Sequence, residues 1–196
     1  MKRWNYGLLT LCLAATTIAC AEDRAPDADR PPEAAPGTPG AAGTTGTSAD
    51  LDFVGEMMAD GRAEVELGKL AQQKSRNSQV KEFAATVVRD HQQADAELKT
   101  AATQANISLS QVDPDMDHHE AIRDRLTELS GTAFDREFIK AMIDDHEKAV
   151  NDVENKADRA ESDHVKQWAA KTLPTLQKHL EHAKQIQESL GKPSGS

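Results

Sequence analysis

Three histidines and one glutamate stand where a helical reading of the chain calls for apolar side chains. Val80, Ala84, Val87, His91, Ala94 and Leu98 recur at steps of three and four residues, so His91 lies on the stripe that a helix turns toward its neighbours. Ile139, Met142, His146, Ala149 and Val153 place His146 in the same way, and Trp168, Thr172, Leu176, His179, Ala183 and Ile186 do so for His179. A fourth stripe, Met57, Gly61, Glu64, Leu67 and Ala71, makes Glu64 an inward carboxylate. Three imidazole nitrogens and one carboxylate oxygen are a donor set suited to a borderline divalent cation such as zinc, copper or iron. Glu66, Asp90 and Asp145 are candidates to orient the imidazoles from behind, and His182, three residues after His179, is a candidate spare ligand. The same groups can also satisfy one another without a metal. Glu64 would then accept hydrogen bonds from one or two imidazoles and fix the register of the helices.

Whether the four groups can meet depends on the elements that carry them. Apolar spacing predicts long helices over about 51–74, 79–104, 133–159 and 163–190, with a shorter one over 118–129. Ser75-Arg76-Asn77-Ser78 and the stretch from Ala160 to Asp163 read as tight turns, with Ser78 and Ser162 as the N-caps that follow. The connection between the two hairpins is long and passes through Asp113-Pro114-Asp115. This pattern predicts an all-α, ferritin-like four-helix bundle: two antiparallel hairpins joined by a long crossover that carries a short helix. Val80-Lys81-Glu82-Phe83-Ala84-Ala85 is echoed by Val165-Lys166-Gln167-Trp168-Ala169-Ala170 at the equivalent place in the second hairpin. Glu64 and His91 lie about 13 residues from the first turn, and His146 and His179 about 16 from the second. With both turns at one end, the two levels would differ by roughly 4 to 5 Å.

Other polar clusters are weaker. His118-His119, with Asp117 and Glu120, reads as a solvated part of the crossover. Glu161 and His164 form a lone Glu-x-x-His at a turn, without the second copy that a di-iron carboxylate centre needs. Pro174 predicts a kink just ahead of His179. No nucleophile with a base and no phosphate loop stands out, so an enzyme, such as a metal-dependent oxidase, ranks below a binding or structural role. A formal charge of −10 and a pI near 5.1 argue against a nucleic-acid partner.

The N-terminal region carries a different kind of chemistry. Lys2 and Arg3 precede an apolar run from Gly7 to Ile18, so residues 1–20 read as a signal peptide. The run closes on Thr17-Ile18-Ala19-Cys20, which resembles a bacterial lipobox with Cys20 as the lipidated residue, although Thr17 replaces the usual aliphatic side chain. Cleavage after Ala21 is the alternative, because Ala19-Cys20-Ala21 also fits the small-x-small rule. Residues 21–50, rich in Pro, Ala, Gly and Thr, read as a disordered tether, 51–190 as the bundle, and 191–196 as a polar tail. The expected location is the periplasmic side of the cell envelope, with a lipid anchor in the outer membrane as the membrane contact.

Four segments together resemble a known family. They are Ala63-Glu64-Val65-Glu66-Leu67-Gly68-Lys69-Leu70-Ala71; Val80-Lys81-Glu82-Phe83-Ala84 leading to Arg89-Asp90-His91; Phe134-Asp135 leading to Asp144-Asp145-His146; and Leu173-Pro174 leading to His179-Leu180. The resemblance is to the bacterial domain of unknown function 4142, ferritin-like helical envelope proteins often described as outer-membrane proteins, and it covers roughly 51–190. It implies the fold and no established activity. The leading expectation is an exported, non-catalytic metal-binding bundle. The alternative is a structural or stress-related envelope protein with a metal-free His/Glu network, and a metal-dependent oxidase comes third.

Overall fold

Apolar side chains at three- and four-residue spacing need a partner helix, and the chain provides one for each stripe. The structure, a computed structural model, describes residues 45–111 and 117–191. The expected signal peptide, most of the tether, the Asp113-Pro114-Asp115 stretch and residues 192–196 of the tail lie outside the described residues. The elements are α1 (Ser48–Lys74), α2 (Ser78–Gln104), a short 3₁₀ turn (Leu109–Gln111), α3 (Asp117–Glu128), α4 (Gly131–Arg159) and α5 (Asp163–Gly191). No strand occurs among the described residues. None of the described helices is long and apolar enough to cross a membrane.

Local chemistry sets the helix ends. Thr47 is extended and its hydroxyl accepts from the Asp50 amide at 3.4 Å, which starts α1 three residues ahead of the expected boundary. Asn77, not Ser78, caps α2: its side-chain oxygen accepts from the amides of Gln79 at 2.9 Å and Val80 at 3.3 Å, leaving Ser78 as the first helical residue. Gly131 opens α4 at a φ of +57°, a backbone state open to glycine at little cost. Ser162 caps α5 as expected, its hydroxyl 3.5 Å from the Val165 amide. Pro174 lies inside α5 without ending it.

α1 pairs with α2 and α4 with α5, while α2 lies along α5 and α1 along α4, closing a four-helix ring. Asp50, at the start of α1, accepts from the Ser162 amide at 2.9 Å in the second turn. Lys74, at the end of α1, bonds the Leu126 carbonyl at 3.0 Å, and Ser189, near the end of α5, meets Gln79 at the start of α2 at 3.2 Å. The two turns therefore lie at opposite ends of the bundle, not at one end. The levels of the polar groups still coincide. Their distances from the two turns together span about one helix length, 27 residues in α1 and α2 and 29 in α4 and α5.

That mid-bundle level divides the core in two. One apolar cluster gathers Phe53, Met57, Leu98, Trp168 and Leu176; the other gathers Leu67, Phe83, Phe138, Met142 and Ile186. On every long helix the inward polar residue falls between a member of one cluster and a member of the other. α1 and α2 approach closely at Gly68, where a Cβ would lie 2.7 Å from Val88 Cγ2 and 3.2 Å from the Ala84 carbonyl oxygen. Gly68→Ala is therefore expected to lower unfolding stability by roughly 1 kcal/mol, because overpacking outweighs the better helix propensity of alanine. Urea unfolding that shows equal or greater stability would mean that the helices part freely to admit the methyl group.

Candidate metal centre

Each long helix delivers one polar side chain to the layer between the clusters. The side chains of Glu64 on α1, His146 on α4 and His179 on α5 are 3%, 0% and 5% exposed, and that of His91 on α2 is 11% exposed. One ring nitrogen from each of His91, His146 and His179 lies within 4.8 Å of the other two. The imidazole centroids are 5.4 Å apart for His91 and His146, 5.6 Å for His91 and His179, and 5.3 Å for His146 and His179. Glu64 stands beside this triad, with Oε2 2.9 Å from His91 Nε2 and Oε1 3.3 Å from His146 Nδ1. The short contact is a meeting of charges and not an aligned hydrogen bond. Neither Glu64 Oε2 nor His91 Nε2 has a hydrogen-bond partner among the described residues.

The acceptors around the rings fix their tautomers. His146 Nδ1 lies 2.9 Å from the Met142 carbonyl oxygen, which can only accept, so Nδ1 carries the hydrogen and Nε2 is bare. His179 Nε2 lies 3.0 Å from Asp90 Oδ2 and donates to it, which leaves His179 Nδ1 bare. These two bare nitrogens face each other at 3.3 Å. That separation matches the edge of a tetrahedron whose metal–nitrogen bonds are about 2.0–2.1 Å, an edge of about 3.3–3.4 Å.

Charge follows the same division. Burial would raise the Glu64 pKa, but the imidazoles of His146, His91 and His179 more than offset it and bring the carboxyl down to about 2. Burial opposes protonation of His91, yet Glu64, Asp90 and Asp60 outweigh it and raise its pKa. His146 is lowered by burial and by His91, against the pull of Glu64. His179 is lowered to about 4, by burial first and then by repulsion from His146 and His91. The layer thus pairs a carboxylate with one imidazole that favours its proton, and keeps two imidazoles neutral with lone pairs directed at each other.

The surrounding candidates divide. Asp90 accepts from His179 Nε2, and Arg89 holds its other oxygen at 2.8 Å. Asp145 is half-buried, and its Oδ2 is buried without a hydrogen-bond partner among the described residues. Glu66 is not behind the rings. Two residues beyond Glu64 it points about 200° round the helix, where it is exposed and 3.7 Å from Arg123. His182 is no spare ligand: it is exposed, with its ring edge-on to Phe83 at 5.4 Å between centroids. His119, expected in a solvated stretch, is buried because α3 lies against α1 and α4, and its Nε2 is 3.6 Å from Asp60 Oδ1. Asp60 escaped the sequence reading although it precedes Glu64 by one helical turn. It also approaches Lys148 at 3.7 Å and, with Met57, Glu64, His91, Trp168 and His179, lines a cavity of about 40 Å³ beside the triad. Glu161 and His164 lie at the second turn, well along the chain from the triad.

Comparison with known proteins adds three findings. The profile of a family described as Domain of unknown function (DUF4142) matches residues 35–186. No curated protein matches the chain. Solved structures share the fold. A DUF305 fragment from Deinococcus radiodurans has a TM-score of 0.66 at 16% identity, over 74% of this chain and 99% of that one. CopM in the Cu(II)-bound form has a TM-score of 0.60 at 23% identity, over 71% of this chain and 96% of that one. CopM in the Ag-bound form has a TM-score of 0.61 at 24% identity, over 73% and 98%.

Asp145 offers a test of the electrostatics. Burial, then Glu64, Asp60 and Asp144, raise its pKa to about 7. A carboxyl with a raised folded-state pKa binds more protons in the native state than in the unfolded state, so its contribution to stability is lost as pH rises from its ordinary value, about 4, to about 7. Asp145→Asn removes that loss. The stability advantage of the variant over the wild type should be larger at pH 8 than at pH 5 in urea unfolding with chelator present; an equal difference at both would show that the folded environment leaves Asp145 unshifted.

Proposed function

The chain belongs to the DUF4142 family, whose description assigns no activity, and from that premise we propose that it is a metal-binding bundle holding one transition-metal ion on His91, His146 and His179. The observation that carries this reading is the pair of bare nitrogens 3.3 Å apart, His146 Nε2 and His179 Nδ1. With no cation between them their lone pairs repel, and a proton is a poor substitute because the His179 pKa is about 4. His91, whose protonated form Glu64 favours, completes the nitrogen set by losing its proton to solvent. Glu64 then sets its negative charge against the incoming positive one, and Asp90 holds the His179 ring in place. Imidazole donors suit zinc, iron and copper. Copper is the first ion to test, because CopM, which shares the fold, has been solved in Cu(II)-bound and Ag-bound forms. The role assigned is to hold the ion, not to transform a substrate.

A second reading rests on the ion pair between Glu64 and His91: a metal-free network that fixes helix register. It predicts that removing an imidazole costs about 1–3 kcal/mol through an unsatisfied buried partner, with no change in any bound ion.

The location of the protein is also part of the proposal. Lys2, Arg3, the apolar run before Cys20 and the 21–50 composition support an exported chain tethered to the outer membrane through a lipid on Cys20.

Protein purified without chelator and incubated with copper should retain about one ion per chain. His91→Ala and His146→Ala should abolish that retention, Asp90→Asn should weaken binding by about 10–100-fold, and His182→Ala should leave it unchanged. Wild-type protein that retains neither copper nor zinc would defeat the metal reading and leave the network. For the anchor, mass spectrometry of the envelope-associated protein should find an acylated Cys20 at the N-terminus; a chain beginning at Glu22 would instead place cleavage after Ala21.

A further inference from the structure

A glycine inside a helix lowers stability unless something needs the missing side chain. At Gly68 the need is visible, since a Cβ would collide with Val88 on α2. Gly61, two turns earlier on the same face of α1, is different. A Cβ there would find only His91 Nδ1, at 3.7 Å, an ordinary contact distance. Packing alone therefore does not account for Gly61, and an alanine would fit and favour the helix.

Gly61 lies between two spaces. The inner one is the cavity of about 40 Å³ that reaches Glu64, His91 and His179. The outer one is a groove of about 320 Å³ between α1 and α2, lined in part by Arg62, Glu66 and Lys69. Gly61, His91 and Asp95 line both. His91 is also the most exposed of the three imidazoles, whereas His146 lies behind the others with no exposed surface. Asp95 sits one turn after His91 on α2. Lys99 holds its Oδ2, but its Oδ1 is buried with no hydrogen-bond partner among the described residues. Farther in, the almost fully buried Glu64 presents Oε2 in the same condition. A cation moving from groove to cavity thus passes Asp95 Oδ1, which has no hydrogen-bond partner among the described residues, before it reaches Glu64, whose Oε2 faces His91.

We infer that the gap at Gly61, between α1 and α2, is the port through which the metal ion reaches the imidazoles, with Asp95 as the carboxylate that lines both sides of it. This rests on the metal-binding reading proposed above. A port has a kinetic signature that a ligand does not: narrowing it slows arrival and departure by the same factor and leaves the affinity alone.

The test uses the full chain as it accumulates in the envelope, with Trp4→Phe so that Trp168, which lines the cavity, is the tryptophan present whether or not residues 1–20 have been removed. Cupric ion is the probe. Uptake is followed by the loss of Trp168 emission and, independently, by copper counted after rapid desalting at timed intervals. Release is followed after addition of excess chelator. Gly61→Ala should slow uptake and release equally, and Gly61→Val by about tenfold, with an unchanged dissociation constant. Asp95→Asn should slow uptake by about tenfold, with less dependence on ionic strength than the wild type. Stoichiometric copper with unchanged rates in the Gly61 variants would overturn the port while leaving the metal site standing. A shifted dissociation constant would overturn it too, by making Gly61 part of the bound site. Absence of bound copper in the wild type would overturn the underlying reading itself.

Discussion

A carboxylate buried at the centre of a helix bundle must find compensating charge close by, and Glu64 is such a group. Its desolvation would be prohibitive if it were alone, and the imidazoles of three other helices lower its pKa, with His91 closest. Much of the architecture follows. Four helices must each place a polar side chain at one level, so the core cannot be one continuous apolar column and instead splits into two clusters with a polar floor between them. A slip of any helix by one turn would drive an imidazole into a cluster and a hydrophobe against the carboxylate. The polar layer therefore specifies register, while the Phe83 and Phe53 clusters on either side supply most of the apolar burial.

The hydrogen bonds that anchor two of the imidazoles also aim their lone pairs at each other. A backbone carbonyl one turn away accepts the Nδ1–H of His146, and Asp90 accepts the Nε2–H of His179, so each ring is turned with its lone pair inward. Such outward anchoring is how metal-binding histidines are oriented in general. Here it is built from an α-helical carbonyl and an acidic residue on the neighbouring helix. His91 is the exception. Its contact with Glu64 is short but poorly aligned, and it lies nearest to solvent.

The helices and their inward polar residues were legible because both depend on local periodicity: one polar residue at the step of three or four stands out against Val, Leu and Ala. The four levels could be matched by counting from the turns, even though the turns proved to lie at opposite ends, because each group sits near the middle of its helix. Direction and long-range cover were not legible. Glu66 and His182 are close in sequence to Glu64 and His179, but rotation of the helix carries them to the outside. His119 is buried only because α3 folds across α1 and α4, a contact that no spacing within the crossover encodes. Asp60 was hidden by the opposite error, an acidic residue beside an apolar stripe that reads as solvated surface until a neighbouring helix covers it.

The clamp around the start of α1 has a mechanical meaning. The Gly46 amide bonds the Ala105 carbonyl at the end of α2 at 2.7 Å, and Asp50 is gripped by Lys156 of α4 at 3.1 Å and by Ser162 at the head of α5. A tug arriving along the preceding chain is thus shared among all four long helices before it can begin to peel α1 away. The knot acts as strain relief, as on a cable, and keeps load at one end of the bundle from disturbing the imidazoles halfway down it.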